Sequence, residues 1–239
     1  METELLYESN PYLKTCNARV LRVEHHKGRR FYLVMDKTIF HPLGGGQPSD
    51  EGRIKGEKGV FEVRKTLVLD GVLKHWGVLT EGSVEEGENV VCELDWEKRY
   101  LVMRLHTAGH ILDYAMARLY GRLVDTVDAF HGPPEAYLEY NVENAPDPSA
   151  LERLAREVVD ARLDVVIKYV SPGELSKSIY NAPNLSRLPQ ADMYRIVEIP
   201  GVNAMPCTGT HVANTAEVGD VKILRVEKHT GYRVYYTVA

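Results

Sequence analysis

The chain has no long apolar run. No stretch approaches the roughly 18 to 20 residues that a helix needs to span a bilayer, so no membrane-spanning segment is expected. Cysteine is scarce: Cys16, Cys92 and Cys207 are odd in number and far apart, which argues against a disulfide framework and fits a reducing, cytoplasmic setting. Positive charge is not in excess. The 29 Lys+Arg against 34 Asp+Glu give a formal charge of −5, which excludes a sequence-blind nucleic-acid coat but leaves room for a local basic groove. The opening METELLYESNPYLK lacks a basic segment followed by an apolar run, so no secretory signal is expected. Internal repeats and low-complexity tracts are absent as well. What is present is an ordinary globular composition over 239 residues, 44% hydrophobic and 26% charged, enough for one large or two modest domains.

The first ninety or so residues read as β structure. Ala18 to Glu24 and Arg30 to Asp36 are β-rich runs around the polar stretch His25 to Arg29. Val60 to Leu69 and Val72 to Leu79 flank the tight turn Asp70-Gly71. Short strands without intervening helices predict a small barrel over residues 1–90 rather than a parallel sheet. One last strand is expected at Asn89 to Leu94. Asp95 then caps a helix running to about Tyr120, with Gly121 as its stop. Leu101, Leu105, Ala108, Leu112, Ala115, Met116 and Leu119 form its apolar face. A second helix is predicted near Ser149, where Ser149 and Glu152 have capping-box spacing. Between the helices Pro133, Pro134, Pro146 and Pro148 mark irregular connections. Strands are expected at Asp164 to Val170, Tyr194 to Ile199, Val221 to Glu227 and Arg233 to Val238. The expected fold is α+β: a β-barrel domain over 1–90, then an α+β domain over 91–239.

Two spacings carry chemistry. His106 and His110 are four apart on the first helix, so their imidazoles share one face. No Glu follows His106, which excludes the HExxH protease pattern. Far along the chain, Cys207 and His211 are also four apart, on a glycine-containing turn. Three imidazoles and a thiolate suit zinc, one ion per chain, better than magnesium or calcium. Four protein ligands would close such a site, and three would leave a position for water; the spacing does not choose. His211 therefore has two candidate roles, ligand and catalytic base or water-orienting group. Cys16 and Cys92 read as small packing residues, since neither has a partner nearby in the sequence.

A third segment, Thr38-Ile39-Phe40-His41-Pro42-Leu43-Gly44-Gly45-Gly46-Gln47, is neither GxGxxG nor a P-loop. Three successive glycines allow a backbone to approach a ligand closely, and Thr38 and Gln47 are able to hydrogen-bond it.

HTAGHIL, PCTGTHV and TIFHPLGGGQPSDEG together resemble the alanyl-tRNA editing proteins of the AlaX type, free-standing relatives of the alanyl-tRNA synthetase editing domain. Editing domains of threonyl-tRNA synthetases share the metal motifs, and the upstream glycine-rich segment favours the alanyl branch. The resemblance implies a zinc-binding enzyme that hydrolyses the ester of tRNA(Ala) mischarged with serine and, in some members, glycine. It makes His106, His110, Cys207 and His211 the metal set. It places Thr38, Gly44, Gly45, Gly46 and Gln47 on the substrate side, with Thr38, Gln47 and His211 the catalytic candidates. Thr208 departs from the CGGTH of many relatives without removing a ligand. The end of the chain soon after CxxxH suggests a form without the longer extension of some relatives. Editing of another mischarged tRNA, a zinc-stabilised tRNA-binding module without catalysis and a small-molecule zinc hydrolase remain open. For the tRNA surface the candidates are Lys98, Arg99 and Arg104 in the helix, Lys222, Arg225 and Lys228 near the end, and Lys27, Arg29 and Arg30 at a turn; a solvated face is the alternative.

Overall fold

The structure is a computed structural model that describes residues 3–183, 185 and 188–239. The chain divides into two compact units, Met1–Leu101 and Val102–Ala239.

The first unit opens with β1 (Glu4–Leu5) and the single helical turn α1 (Leu6–Ser9), followed by β2 (Thr15–Lys27), β3 (Arg30–Met35) and β4 (Lys37–Thr38). β5 (Gly52–Lys55), β6 (Gly59–Leu69), β7 (Val72–Gly82) and β8 (Asn89–Leu94) complete it. Six strands close a barrel in the order β2-β3-β7-β6-β5-β8, antiparallel at every step. β8 pairs with both β2 and β5, so the last strand read from the sequence is the one that shuts the barrel. Alternate residues point inward, and Val20, Leu33, Met35, Phe40, Ile54 and Phe61 fill the interior. The barrel expected from the sequence is the fold observed. β1 pairs parallel with β4, fixing the segment that leads into Thr38.

Cys16 and Cys92, read as small packing residues, belong to the barrel core, Cys92 buried in it and Cys16 packed against it. They stand directly opposite each other on β2 and β8, as free thiols, because antiparallel closure brings residues far apart in sequence into register.

The second unit is mixed. The helix α2 (Trp96–Tyr120) leads into it, followed by β9 (Thr126–Phe130), β10 (Ala136–Tyr140) and α3 (Pro148–Asp160). β11 (Val166–Val170), the short α4 (Leu175–Ser178), β12 (Tyr194–Ile199), β13 (Asn203–Pro206), β14 (Val221–Lys228) and β15 (Tyr232–Val238) follow. One antiparallel sheet has the order β14-β15-β10-β9 and another β11-β12-β13. β9 and β10 occupy the stretch where prolines suggested irregular connections only. Their register with each other and with β15 places β10 inside a sheet, where long-range pairing outweighs the local signal. The cap of α3 also differs from expectation. Asp147 accepts the amide of Ser149, with Pro148 opening the helix, while Glu152 accepts the amide of Ile223.

Candidate metal centre

α2 begins where expected: the Asp95 carboxylate accepts the amide of Lys98, 3.2 Å away. It ends before Gly121, whose φ is +66°. Leu105, Ala108, Leu112, Ala115 and Met116 are buried along one side, which sets the helix in the unit's core. His106 and His110 are buried with them, at 2% and 4% exposure.

The other two donors come from the turn after β13. The Cys207 amide donates to the Arg195 carbonyl, and Nη1 of Arg195 donates back to the carbonyls of Cys207 (2.6 Å) and Gly209 (3.0 Å). Arg195, on β12, thus holds the turn at both ends. Asn203 ties β13 to the helix by donating to the His110 carbonyl at 2.8 Å.

The result is a compact donor set. One ligand-type atom from each of His106, His110, Cys207 and His211 lies within 4.8 Å of every other. Sγ of Cys207 is 3.5 Å from Nε2 of His106 and 3.3 Å from Nε2 of His211. Tetrahedral zinc, with bonds of about 2.0–2.3 Å, sets neighbouring donors roughly 3.3–3.6 Å apart, so these spacings fit the ion. His110 adds a second observation: its Nδ1 is buried without a hydrogen-bond partner. Burial pushes the His110 imidazole down to about 4, helped by the charge of Arg195, so at neutral pH it is the uncharged, metal-binding form. Burial raises the Cys207 thiol, and the Arg195 charge opposes that rise. The residues fit a zinc ion, and all four came from the sequence reading.

Side chains that the sequence reading missed orient these donors. Thr107 Oγ1 donates to the Met103 carbonyl at 2.9 Å, which leaves its lone pairs for the His211 ring 3.1 Å away and the Val212 amide. His211 then carries its proton on Nδ1, and Nε2 faces Cys207 with a lone pair. His131 stacks on His106, with ring centroids 4.3 Å apart and planes 13° from parallel. Tyr236 donates to the Leu105 carbonyl and accepts from Nδ1 of His131 at 2.7 Å. Burial first, and then His110, push His131 down to about 3. Thr107 lies inside the HTAGH motif and was open to a reading of that motif. Nothing near His131, Arg195 or Tyr236 in sequence distinguishes them.

The glycine-rich segment belongs to the first unit. Gly44 and Gln47 exchange backbone hydrogen bonds across Gly45 and Gly46, whose φ values of +59° and +75° make a tight two-residue turn. The Gly44 amide is therefore occupied, and Gly45 stands exposed at the tip. Gln47 and Thr38 are fully buried.

Several cations read as candidate tRNA contacts are committed elsewhere. Arg99 is 1% exposed and paired with Asp50, and it also donates to the carbonyls of Pro11 and Ile39. Arg104 donates to the carbonyls of Glu217, Val218 and Ala239. Arg225 is bound by Glu135 and Glu227. The helical stripe of Lys98, Arg99 and Arg104 is thus not a free basic face.

Comparison with known proteins agrees with this architecture. Residues 2–98 match the family described as tRNA synthetases class II (A). Residues 194–235 match the threonyl and alanyl tRNA synthetase second additional domain. The chain is 37% identical to the alanyl-tRNA editing protein AlaX-M of Saccharolobus solfataricus, over 99% of both chains. It is 35% identical to AlaX-L of Pyrococcus horikoshii, covering 98% of this chain and 57% of that one. It is 34% identical to an alanine–tRNA ligase of Pyrobaculum arsenaticum, covering 94% of this chain and 25% of the ligase.

Proposed function

The chain belongs to the AlaX family of alanyl-tRNA editing proteins, and from that premise we propose that it deacylates tRNA(Ala) mischarged with serine by zinc-dependent ester hydrolysis, with glycyl-tRNA(Ala) as the second candidate substrate. The observation that carries the hydrolytic reading is the convergence of ligand atoms from His106, His110, Cys207 and His211 to within 4.8 Å of one another. Zinc, when bound, supplies Lewis acidity that draws electron density from an ester carbonyl or an attacking water.

This chain's own residues do the rest. His106, His110 and Cys207 would hold the ion. His211, with Nδ1 fixed by Thr107, presents Nε2 as a fourth ligand or as the acceptor of a proton from the attacking water. Thr38 and Gln47 recognise the aminoacyl group, and the Gly44–Gly46 turn brings backbone close to it. Thr38 hydrogen-bonds the serine hydroxyl; with alanine one lone pair of that buried group stays unpaired. The need for such an activity follows from limited discrimination. A pocket shaped for alanine rejects near-isosteres by only about 10–200-fold, so a second, hydrolytic site is useful.

The test is deacylation of seryl-, glycyl- and alanyl-tRNA(Ala), and of seryl-tRNA(Thr), with and without a zinc chelator. Hydrolysis of seryl-tRNA(Ala) that stops with chelator and returns with zinc is expected. Binding without hydrolysis would identify a tRNA-binding module instead. In Cys207→Ala, zinc content and deacylation should fall together, and full activity in a demonstrably metal-free variant would overturn the metal requirement. Thr38→Val should erode the preference for serine over alanine.

A further inference from the structure

Thr38 lies inside the barrel beside a histidine that the sequence reading did not single out. His75, on β7, is fully buried, and its Nε2 is 2.8 Å from Oγ1 of Thr38. Its other nitrogen, Nδ1, is 3.1 Å from the carbonyl of Leu33. A carbonyl only accepts, so Nδ1 carries the ring proton and Nε2 is a lone pair. Burial pushes this imidazole down to about 4, which keeps it neutral at physiological pH. A T-shaped contact with Phe40, 5.4 Å between centroids, fixes the ring's orientation.

The consequence falls on Thr38. A hydroxyl has one proton and two lone pairs. The proton of Thr38 goes to His75, and the Phe40 amide donates to one lone pair at 3.0 Å. Among the described residues the other lone pair has no partner. Thr66 adds a second observation: it stands directly opposite His75 on β6, and its hydroxyl is buried without a partner. An unpaired buried hydroxyl costs free energy that a bound polar group would recover.

We propose that His75 is a positioning residue for specificity: by taking the Thr38 proton, it leaves Thr38 able only to accept, so that the site reads a substrate hydroxyl as a hydrogen-bond donor. This rests on the reading that Thr38 contacts the serine hydroxyl. Serine satisfies such a receptor, whereas alanine and glycine carry no side-chain donor.

The experiment compares seryl- and alanyl-tRNA(Ala) deacylation by the zinc-loaded full chain and its variants. His75→Phe keeps an aromatic ring against Phe40 and removes the acceptor. It is expected to lower kcat/KM for seryl-tRNA about tenfold and to leave the alanyl rate within about twofold. His75→Gln places an acceptor where Nε2 was and is expected to restore the preference for serine. An equal fall for both substrates in His75→Phe, or no change in either, overturns the proposal, the first outcome marking a structural role. Preference lost in Thr38→Val but kept in His75→Phe defeats the role of His75 alone. Preference unchanged in Thr38→Val defeats the Thr38 reading and this proposal with it. Should His75→Phe fail to fold, nitrogen-15 NMR of the wild-type imidazole decides. The Nδ1–H tautomer is expected at neutral pH, and an Nε2–H or doubly protonated ring overturns the proposal.

Discussion

Gly109 and His131 are packed so closely that a Cβ on Gly109 would lie 2.5 Å from Cε1 and 2.7 Å from Nδ1 of the His131 ring. The glycine of HTAGH is thus the gap in α2 through which His131 reaches the stacked position on His106. His131 has no slack to retreat, being buried and hydrogen-bonded to Tyr236.

Gly109→Ala tests this arrangement. In an exposed helix the change would stabilise by about 1 kcal/mol through helix propensity. Here the clash outweighs that gain, and a net destabilisation of about 1–3 kcal/mol is expected. Thermal unfolding measures it. Zinc content should fall as well, because His106 loses the ring stacked against it. An unchanged melting temperature would show that His131 moves aside freely.

Arg99 and Asp50 form a buried ion pair in the first unit, 1% and 4% exposed. Asp50 also accepts the amide of His41, so the pair anchors the segment that carries Gly44 to Gln47. Arg99→Ala leaves the carboxylate buried and unpaired and should cost about 3–5 kcal/mol in urea unfolding. Arg99→Met combined with Asp50→Leu should cost less than either single change, because no charge is stranded.

His75 makes stability depend on pH. Its ordinary value is 6.5, and burial lowers it to about 4 in the native barrel. The unfolded chain therefore takes up a proton before the native one does. The stability it contributes is complete above pH 6.5 and lost as pH falls from 6.5 toward 4, by about 3 kcal/mol in total. Denaturant midpoints across that window should fall more steeply in the wild type than in His75→Gln. Parallel curves would contradict the burial of a neutral imidazole.

Arg99, Arg104 and Arg225, three of the candidate tRNA contacts, are held by partners within the chain, and the formal charge of the whole chain is −5. tRNA binding should therefore depend weakly on salt, with a log–log slope no steeper than about −3. A markedly steeper slope, read by titration across salt concentrations, would reveal a basic surface beyond these residues.

The amino-acid sequence by itself determined the barrel, the long helix and the identity of all four metal-type donors. Each rests on a local regularity: alternation and short turns for strands, 3.6-residue spacing with Asp95 and Gly121 for α2, and four-residue intervals for the donor pairs. Tertiary structure decided what surrounds those donors and which surfaces stay free. Arg99 reads as one more cation on a helix until the barrel loop delivers Asp50 to it. β10 hides among prolines until β15 and β9 pair with it. His75, His131 and Arg195 have no motif around them, and their partners Thr38, Tyr236 and Cys207 lie 37, 105 and 12 residues away. Hydrogen-bond direction, ring stacking and burial arise only when such segments meet. The motifs name the chemistry, and chain pairing at long range sets its orientation.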